Sequence, residues 1–308
     1  MKQTLLFLII SLVLLTIPKN TFSQLLEDNS VNVLPFWEKG QTLRLKIKST
    51  STNDNLTTSG TSFDVAVNVT EVNEKGIQLY WTYTNSKLAE NEIVLENYVI
   101  ADLLNKKIKI QLSDIGQFAG ILNYDEIKVS AQNAIDALLK KHADNKTLVT
   151  QFNSVRLLIQ TKQGLEIAFL KHIKYYCFSF GFNFKLNNPT ENKMKMASPL
   201  GGQPLDAIEK VEMTKIDTIN SICITETQKK VVDKNLTLQV VEFIKKGNPN
   251  SDPKVIDEQL KGITFEISDK TQQFINYEKG IPLKSIIERT TKLGFQERVT
   301  TLTIETIL

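Results

Sequence analysis

The sequence predicts an α+β fold that is mainly antiparallel β-sheet, as one curved sheet or two sheets, with a central block of about three helices. Two blocks of period-two alternation, residues 36–122 and 176–308, flank a block with helical spacing, residues 124–175. Strands segregated from helices along the chain favour an antiparallel fold over a doubly wound parallel one. We therefore expect residues 24–308 to form a single α+β domain.

The first β block shows the alternation most clearly. Residues 43–47 alternate Leu or Ile with Arg or Lys, which is typical of a strand with one solvated face. Two alternating runs, residues 63–69 and 77–83, flank an Asn-Glu-Lys-Gly turn and predict a β-hairpin. Residues 49–62 are rich in Ser, Thr and Asn and predict a polar loop. The remaining strands predicted in this block are residues 93–100, 106–112 and 117–121.

The central block changes to helical spacing. Between residues 125 and 143 the apolar positions fall on one helical face, at Ile127, Ala131, Ala134, Ile135, Leu138 and Leu139. Asn145 or Thr147 can cap a second helix that continues to Ile159. Gly164 separates it from a third apolar segment, residues 165–173.

The second β block opens with four phenylalanines at every second position, Phe178, Phe180, Phe182 and Phe184. On a strand this spacing places all four rings on one face. Two interpretations are open: the rings are sheet core, or they line an apolar pocket for a lipid-like ligand.

The rest of this block is predicted from the same patterns. Residues 187–204 predict a Pro/Gly-rich connector, and residues 255–260 a short helical turn. The predicted strands are residues 208–216, 222–232, 236–244, 263–267, 274–277, 283–287 and 299–307.

Residues 1–23 have the form of a cleaved signal peptide: Lys2, an apolar run over residues 5–17, and small residues near position 23. An uncleaved anchor is the alternative, but the run is shorter than the roughly 20 apolar residues of a membrane span. We expect export to the periplasm or the cell exterior as a chain beginning at Gln24. No later stretch is apolar enough to span a bilayer.

The charge of the chain argues against nucleic acid as a partner. Removing Lys2 and Lys19 lowers the formal net charge from +3 to +1. Basic and acidic residues are interspersed, whereas nucleic-acid-binding proteins concentrate their basic residues.

Two cysteines, Cys177 and Cys223, are a disulfide candidate in an oxidising compartment. A bridge between them would contribute about 4 kcal/mol by the loop-entropy estimate. Two buried free thiols are the alternative.

Known catalytic and metal-binding patterns do not occur. His142 and His172 lack metal-ligand spacing; we expect His172 to be a partly exposed helix residue and His142 a cation at a helix C-terminus. Residues 198–202 are glycine-rich but lack the lysine of a phosphate-binding loop. No cofactor is predicted. Paired carboxylates remain open, because a fold can bring distant acids together.

Three short motifs carry a resemblance: Phe-Ser-Gln at 22–24, Trp-Glu-Lys-Gly at 37–40, and Tyr-Glu-Lys-Gly-Ile-Pro-Leu-Lys-Ser at 277–285. Together they resemble secreted β-rich bacterial envelope proteins of uncharacterised function. The last also resembles a hairpin of periplasmic lipoprotein-carrier proteins, in which helices close an incurved antiparallel sheet around a hydrophobic cavity. The resemblance implies a cell-envelope setting and transfers no functional residue.

The sequence thus favours a non-catalytic envelope protein that binds an apolar or lipid-like ligand, with an internal apolar cavity. A structural or protein-interaction module is the alternative, and it predicts an exposed apolar patch. A carboxylate-dependent hydrolase is the third hypothesis, and it predicts a polar cleft with facing acids. The oligomeric state stays open.

Overall fold

The computed structural model describes residues 25–54, 56–88, 95–196, 204–233, 235–247 and 252–307. The predicted signal peptide lies outside these ranges. The described strands are β1 (Ser30–Asn32), β2 (Thr42–Asn53), β3 (Leu56–Asn73), β4 (Gly76–Lys87), β5 (Ile108–Leu112), β6 (Phe118–Ile121), β7 (Asn183–Lys185), β8 (Thr190–Met196), β9 (Leu205–Asp217), β10 (Ile222–Val231), β11 (Phe265–Asn276), β12 (Ile281–Leu293) and β13 (Gln296–Ile307). The described helices are α1 (Leu95–Asp102), α2 (Tyr124–Lys141), α3 (Lys146–Leu158), α4 (Lys162–Phe169), α5 (Lys171–Tyr176), α6 (Leu236–Gly247) and α7 (Pro253–Gln259).

Eleven of the described strands form one antiparallel sheet, in the order β6-β5-β4-β3-β2-β13-β12-β11-β10-β9-β8. Strands β2 and β13 lie side by side, so the two β blocks of the sequence join in this sheet. Strands β1 and β7 form a second, two-stranded sheet. The predicted α+β class with a predominantly antiparallel sheet is confirmed.

The sheet has one solvated face, as the alternation predicted. On β2, Leu43, Leu45 and Ile47 are buried, whereas the residues between them are exposed. On the exposed face Lys46 lies directly opposite Glu305 on one side and Asp64 on the other. Such opposite-charge cross-strand pairs stabilise a wet sheet face.

The helices of the central block cover the opposite face. Residues 124–176 form the four helices α2 to α5. The third predicted helical segment is divided into two short helices, α4 and α5, which meet at Leu170. Asn145 caps α3 by accepting a hydrogen bond from the Leu148 N–H at 3.1 Å, and Thr161 caps α4 in the same way. Gly164 must be glycine, since a Cβ there would lie 1.8 Å from the Leu158 carbonyl oxygen.

Several predicted elements are wrong. Residues 93–100 and 236–244 were predicted as strands, but their described parts lie in helices α1 and α6. The apolar residues of both segments fit a strand as well as a helix, and packing decides between them. The predicted polar loop 49–62 is instead the end of β2 and the start of β3, and the connector after residue 187 contains β8.

Buried apolar side chains form two clusters on the covered face. The larger extends along the sheet from β5 to β9 beneath α2–α5, and its interior holds aromatic rings in edge-to-face contact, such as Phe63 with Tyr83 at 5.7 Å between centroids. The smaller lies beneath α6. Its buried members are Met196, Leu205, Ala207, Val231, Leu236 and Ile267.

Two of the motifs that carry the resemblance meet in the fold. The Trp37 Nε1–H donates a hydrogen bond to the Gly280 carbonyl oxygen at 2.9 Å, in a buried position. Gly280 has φ +60°, and a Cβ there would lie 2.0 Å from the Leu34 carbonyl oxygen. The segment after β1 is thereby fastened to the β11–β12 turn. Of the helices in the described ranges, none has the length and apolar character needed to cross a bilayer.

Candidate functional site: a charged row on the covered sheet face

Four charged side chains form a row across adjacent strands. Glu209 on β9 lies directly opposite Lys229 on β10. Lys229 lies opposite Asp269 on β11, and Asp269 lies opposite Arg289 on β12. Directly opposite residues of an antiparallel pair point to the same face, so the four side chains share one face. We call this set the charged row.

The charged row lies on the helix-covered face. The Lys229 ammonium sits over the ring of Phe178, in the turn after α5, at 5.5 Å from the ring centroid. Gln273 is four residues beyond Asp269 on the same face of β11, and its Nε2 donates to the Tyr175 carbonyl oxygen of α5 at 2.8 Å. The row therefore faces the side on which α5 packs.

The row consists of two ion pairs. The Arg289 guanidinium donates two parallel hydrogen bonds to Asp269, Nε to Oδ1 and Nη2 to Oδ2, both at 2.7 Å. The Lys229 Nζ lies 3.2 Å from the Glu209 Oε1. Hydrogen bonding to Asp269 raises the pKa of Arg289 above its already high ordinary value, so the guanidinium stays charged.

Exposure differs sharply within the row. The side chain of Asp269 is 13% exposed, whereas that of Arg289 is 42% exposed. Lys229 and Glu209 are intermediate, at 25% and 20%. The carboxylates are thus sheltered, and the guanidinium of Arg289 reaches solvent on a face that helices otherwise cover.

A buried polar network anchors α5 beside the row. The Gln273 amide donates to the Tyr175 carbonyl and to the Ser285 Oγ, at 2.8 Å each, and accepts a hydrogen bond from Ser179. Ser179 also contacts the Thr225 Oγ1 at 3.3 Å. Gln273 and Ser285 are fully buried. The network satisfies the amide and fixes the turn that carries Phe178.

Buried apolar side chains lie near the row on both sides. Two residues further along β9, β10 and β11 the same face holds Ala207, Val231 and Ile267, which belong to the cluster beneath α6. In the other direction lie the buried network and the larger cluster beneath α5. The row is therefore a polar band between two apolar regions, each with its own helical cover.

The predicted phenylalanine strand is wrong in extent. Strand β7 covers only Asn183–Lys185, and residues 177–181 are turn. The four rings consequently do not share one face. Phe180 is fully buried against Trp37, with centroids 5.6 Å apart.

The other three rings form an aromatic patch beside the charged row. The centroids of Phe178 and Phe182 lie 6.2 Å apart, and those of Phe182 and Phe184 lie 5.7 Å apart. Phe184 is buried and Phe182 is 43% exposed. Phe178 alone of the four contacts the row, through Lys229.

Both cysteines are buried free thiols. Burial raises the pKa of Cys223 to about 12 and that of Cys177 further still, so neither thiol is primed as a nucleophile.

The expectation of a partly exposed His172 is wrong. His172 is 2% exposed, and its Nδ1 lies 2.9 Å from the Tyr83 hydroxyl. Burial lowers the pKa of His172 well below 6.5, so the imidazole is neutral. His142 follows α2 at its C-terminus, as expected. Within the described ranges no three His, Cys, Asp or Glu side chains gather as a metal site would require.

An exposed apolar patch lies at the tip of the β12–β13 hairpin. Phe295 is fully exposed there and borders an open groove of about 440 Å³. Leu260, Ile263 and Leu293 line the same groove. This patch is the kind of surface that an interaction module would present.

Sequence reasoning missed all four members of the charged row. Each occupies a position in phase with the covered face of its strand, as Glu209 does between the buried Ala207 and the partly buried Val211. A charge in phase with the buried positions of a strand is a local signal of a polar site on a covered face. The cross-strand partners depend on register, which the sequence does not reveal.

The chain is similar to solved structures but matches no family model and no curated protein. Among solved structures the chain is similar to one of lipovitellin described under lipid–protein interactions, with 9% sequence identity and a TM-score of 0.44. The likeness covers 88% of this chain and 25% of the lipovitellin chain, so the protein spans about a quarter of that chain's length.

Proposed function

We propose that the protein is an exported binding protein of the cell envelope that holds an amphipathic, lipid-like ligand and catalyses no reaction on it. The charged row contacts the polar group of the ligand, and the apolar surface beside the row contacts its hydrocarbon part. The aromatic patch of Phe178, Phe182 and Phe184 supplies one such surface.

One observation carries this proposal: a solvent-reaching charged row on a covered sheet face, between two apolar clusters. Ion pairs in sheltered positions give little net stability, and hydrophobic residues of similar size would serve the fold as well. Four charges in this position are better explained by a polar ligand group than by folding. Ligand sites typically combine apolar walls with a few such polar groups.

The partial exposure of Phe182 supports the apolar half of the site. A large ring that is 43% exposed next to two other phenylalanines leaves apolar surface for a ligand to cover. Phe178 links this surface to the row because its ring lies under the Lys229 ammonium. A single chain segment therefore touches both the apolar and the polar parts of the proposed site.

Export rests on residues 1–23 and their signal-peptide pattern. N-terminal sequencing of the protein from the envelope of its own host tests it. A chain beginning at Gln24 supports export, and a chain that retains Met1 in the cytoplasm contradicts it.

Native mass spectrometry with lipid extraction tests ligand binding on the same material. We expect a mass increment of one amphiphile per chain, lost in the variant Phe178→Ala/Phe182→Ala. The control variant Phe295→Ser changes an exposed ring far along β12–β13 and should keep the increment. A ligand-free mass that persists after incubation with excess fatty acid and phospholipid contradicts the proposal.

An interaction module is the second candidate, and the fully exposed Phe295 favours it. Sedimentation velocity over a range of concentrations tests a second copy of this chain as the partner. A dimer that disappears in Phe295→Ser supports this candidate, whereas a monomer at every concentration contradicts self-association through the tip.

A further inference from the structure

We infer that the polar group of the ligand is anionic, a carboxylate or a phosphate, and that it binds the free edge of the Arg289 guanidinium. This inference rests on the proposed function and specifies the ligand chemistry at the same site.

The first step is the hydrogen-bonding capacity of Arg289. A guanidinium has five N–H donors in a planar fork. Asp269 accepts a hydrogen bond from the single Nε–H and one from the Nη2 amino group. The Nη1 amino group and the second Nη2 hydrogen therefore lie on the edge that points away from Asp269, where a second oxygen pair can bind.

The second step is accessibility. The carboxylates of the row are sheltered, Asp269 at 13% and Glu209 at 20% exposure, and each is already paired with a cation. Arg289 is 42% exposed. The surface that the row offers to a ligand is consequently dominated by donors, which favours a ligand group rich in acceptor oxygens.

The third step is preorganisation. The bidentate pair with Asp269 holds the guanidinium plane in one orientation before any ligand arrives. Asp269 is in this sense a positioning residue. Lys229 is a poorer anion site than Arg289, because its ammonium is already paired with Glu209 and lies over the Phe178 ring.

The fourth step is the neighbourhood on β12 and β13. Thr300 lies directly opposite Arg289 on the same face, and Thr291 is two residues further along β12. Both carry hydroxyl groups that can donate to an anion. Among the described carboxylates only Asp269 is paired with Arg289, and the Tyr175 phenol also acts electrostatically on the guanidinium.

Isothermal titration calorimetry of the full exported chain tests the inference with four probes. Decanoate and decyl phosphate are anionic, decyltrimethylammonium is cationic with the same chain, and inorganic phosphate lacks the chain. We expect the two anionic amphiphiles to bind about 10- to 100-fold more tightly than the cationic one, the range of a charge-assisted hydrogen-bonding pair. Whichever of the two binds more tightly identifies the head group.

Arg289→Gln should abolish this preference, and Arg289→Lys should retain only part of it, because an ammonium lacks the fork. The matched control is Arg44→Gln, which removes an arginine from the exposed face of β2 and should leave all affinities unchanged. The double variant Asp269→Asn/Arg289→Gln removes both charges and leaves no unpaired carboxylate, and it replaces Arg289→Gln if an unpaired Asp269 prevents folding.

The outcomes separate the two proposals. Equal affinity for anionic and cationic amphiphiles, or a preference that survives in Arg289→Gln, overturns the inference and leaves the proposed function standing. Binding of no amphiphile overturns both. Inorganic phosphate that binds as tightly as decyl phosphate supports the anion site and overturns the lipid-like ligand.

Discussion

Replacing Gln273 by Leu should destabilise the protein by about 2–4 kcal/mol, because it removes the centre of the buried network beside the charged row. Four hydrogen bonds are lost, to Tyr175, Tyr176, Ser179 and Ser285. A buried polar group left without a partner costs roughly 1–3 kcal/mol. The buried Ser285 hydroxyl loses its hydrogen bond to Gln273 and incurs this penalty, whereas Ser179 retains its contact with Thr225.

Urea unfolding followed by circular dichroism measures the loss, with an unchanged slope against denaturant as evidence that the native state is otherwise intact. The matched control is Gln272→Leu on the opposite face of β11, which is bonded to Glu226 and only partly buried, and should change stability by less than about 1 kcal/mol. The double variant Gln273→Leu/Ser285→Ala should recover part of the loss, since the orphaned hydroxyl is gone. A loss equal to that of Gln272→Leu, with no recovery in the double variant, would refute the reasoning.

Three further predictions concern the buried core. His172 is neutral in the folded protein, whereas in the unfolded chain it takes up a proton below its ordinary pKa near 6.5. It therefore lowers the free energy of unfolding by up to about 1.4 kcal/mol for each pH unit below that value. The variant His172→Gln should flatten this decline between pH 6.5 and 5, and an equally steep decline would count against a buried neutral imidazole. In urea unfolding, Phe180→Ala should lower the free energy of unfolding by about 3–5 kcal/mol, and Phe182→Ala, at a half-exposed ring, by less than about 1 kcal/mol. Equal losses would show that the two rings share one environment. Cys177 and Cys223 should react with Ellman's reagent only when the protein is unfolded, because both thiols are buried and free. The unfolded chain should then show two thiols without any reductant. Two thiols that become reactive only after reduction would mean a disulfide.

The elements with unbroken periodicity could be predicted from sequence. Residues 43–47 of β2 and the runs 63–69 and 77–83 of the β3–β4 hairpin alternate, and α2 keeps apolar residues on one face, because each buries a single side. Segments whose apolar residues fit a strand as well as a helix, such as α1 and α6, could not be assigned. Their period is ambiguous, and the packing against β4 and β11 decides.

The candidate site could be predicted only in part. Phe178 and Phe182 were found from their spacing, although the strand proposed for them is mostly a turn. The charged row was missed because it is assembled by register across four strands, two of which lie far apart in the chain. Local patterns do not encode which residue of β10 faces which residue of β11.

The central claim is that the ligand lies over the charged row beside the aromatic patch. Photo-crosslinking with a fatty acid that carries a diazirine on its chain, followed by peptide mass spectrometry, tests this location directly. The account predicts labels within residues 175–184 and on the strand segments 227–231 and 267–271. Labels confined to residues 260–264 and 293–296 at the hairpin tip, or spread evenly over the chain, would contradict it.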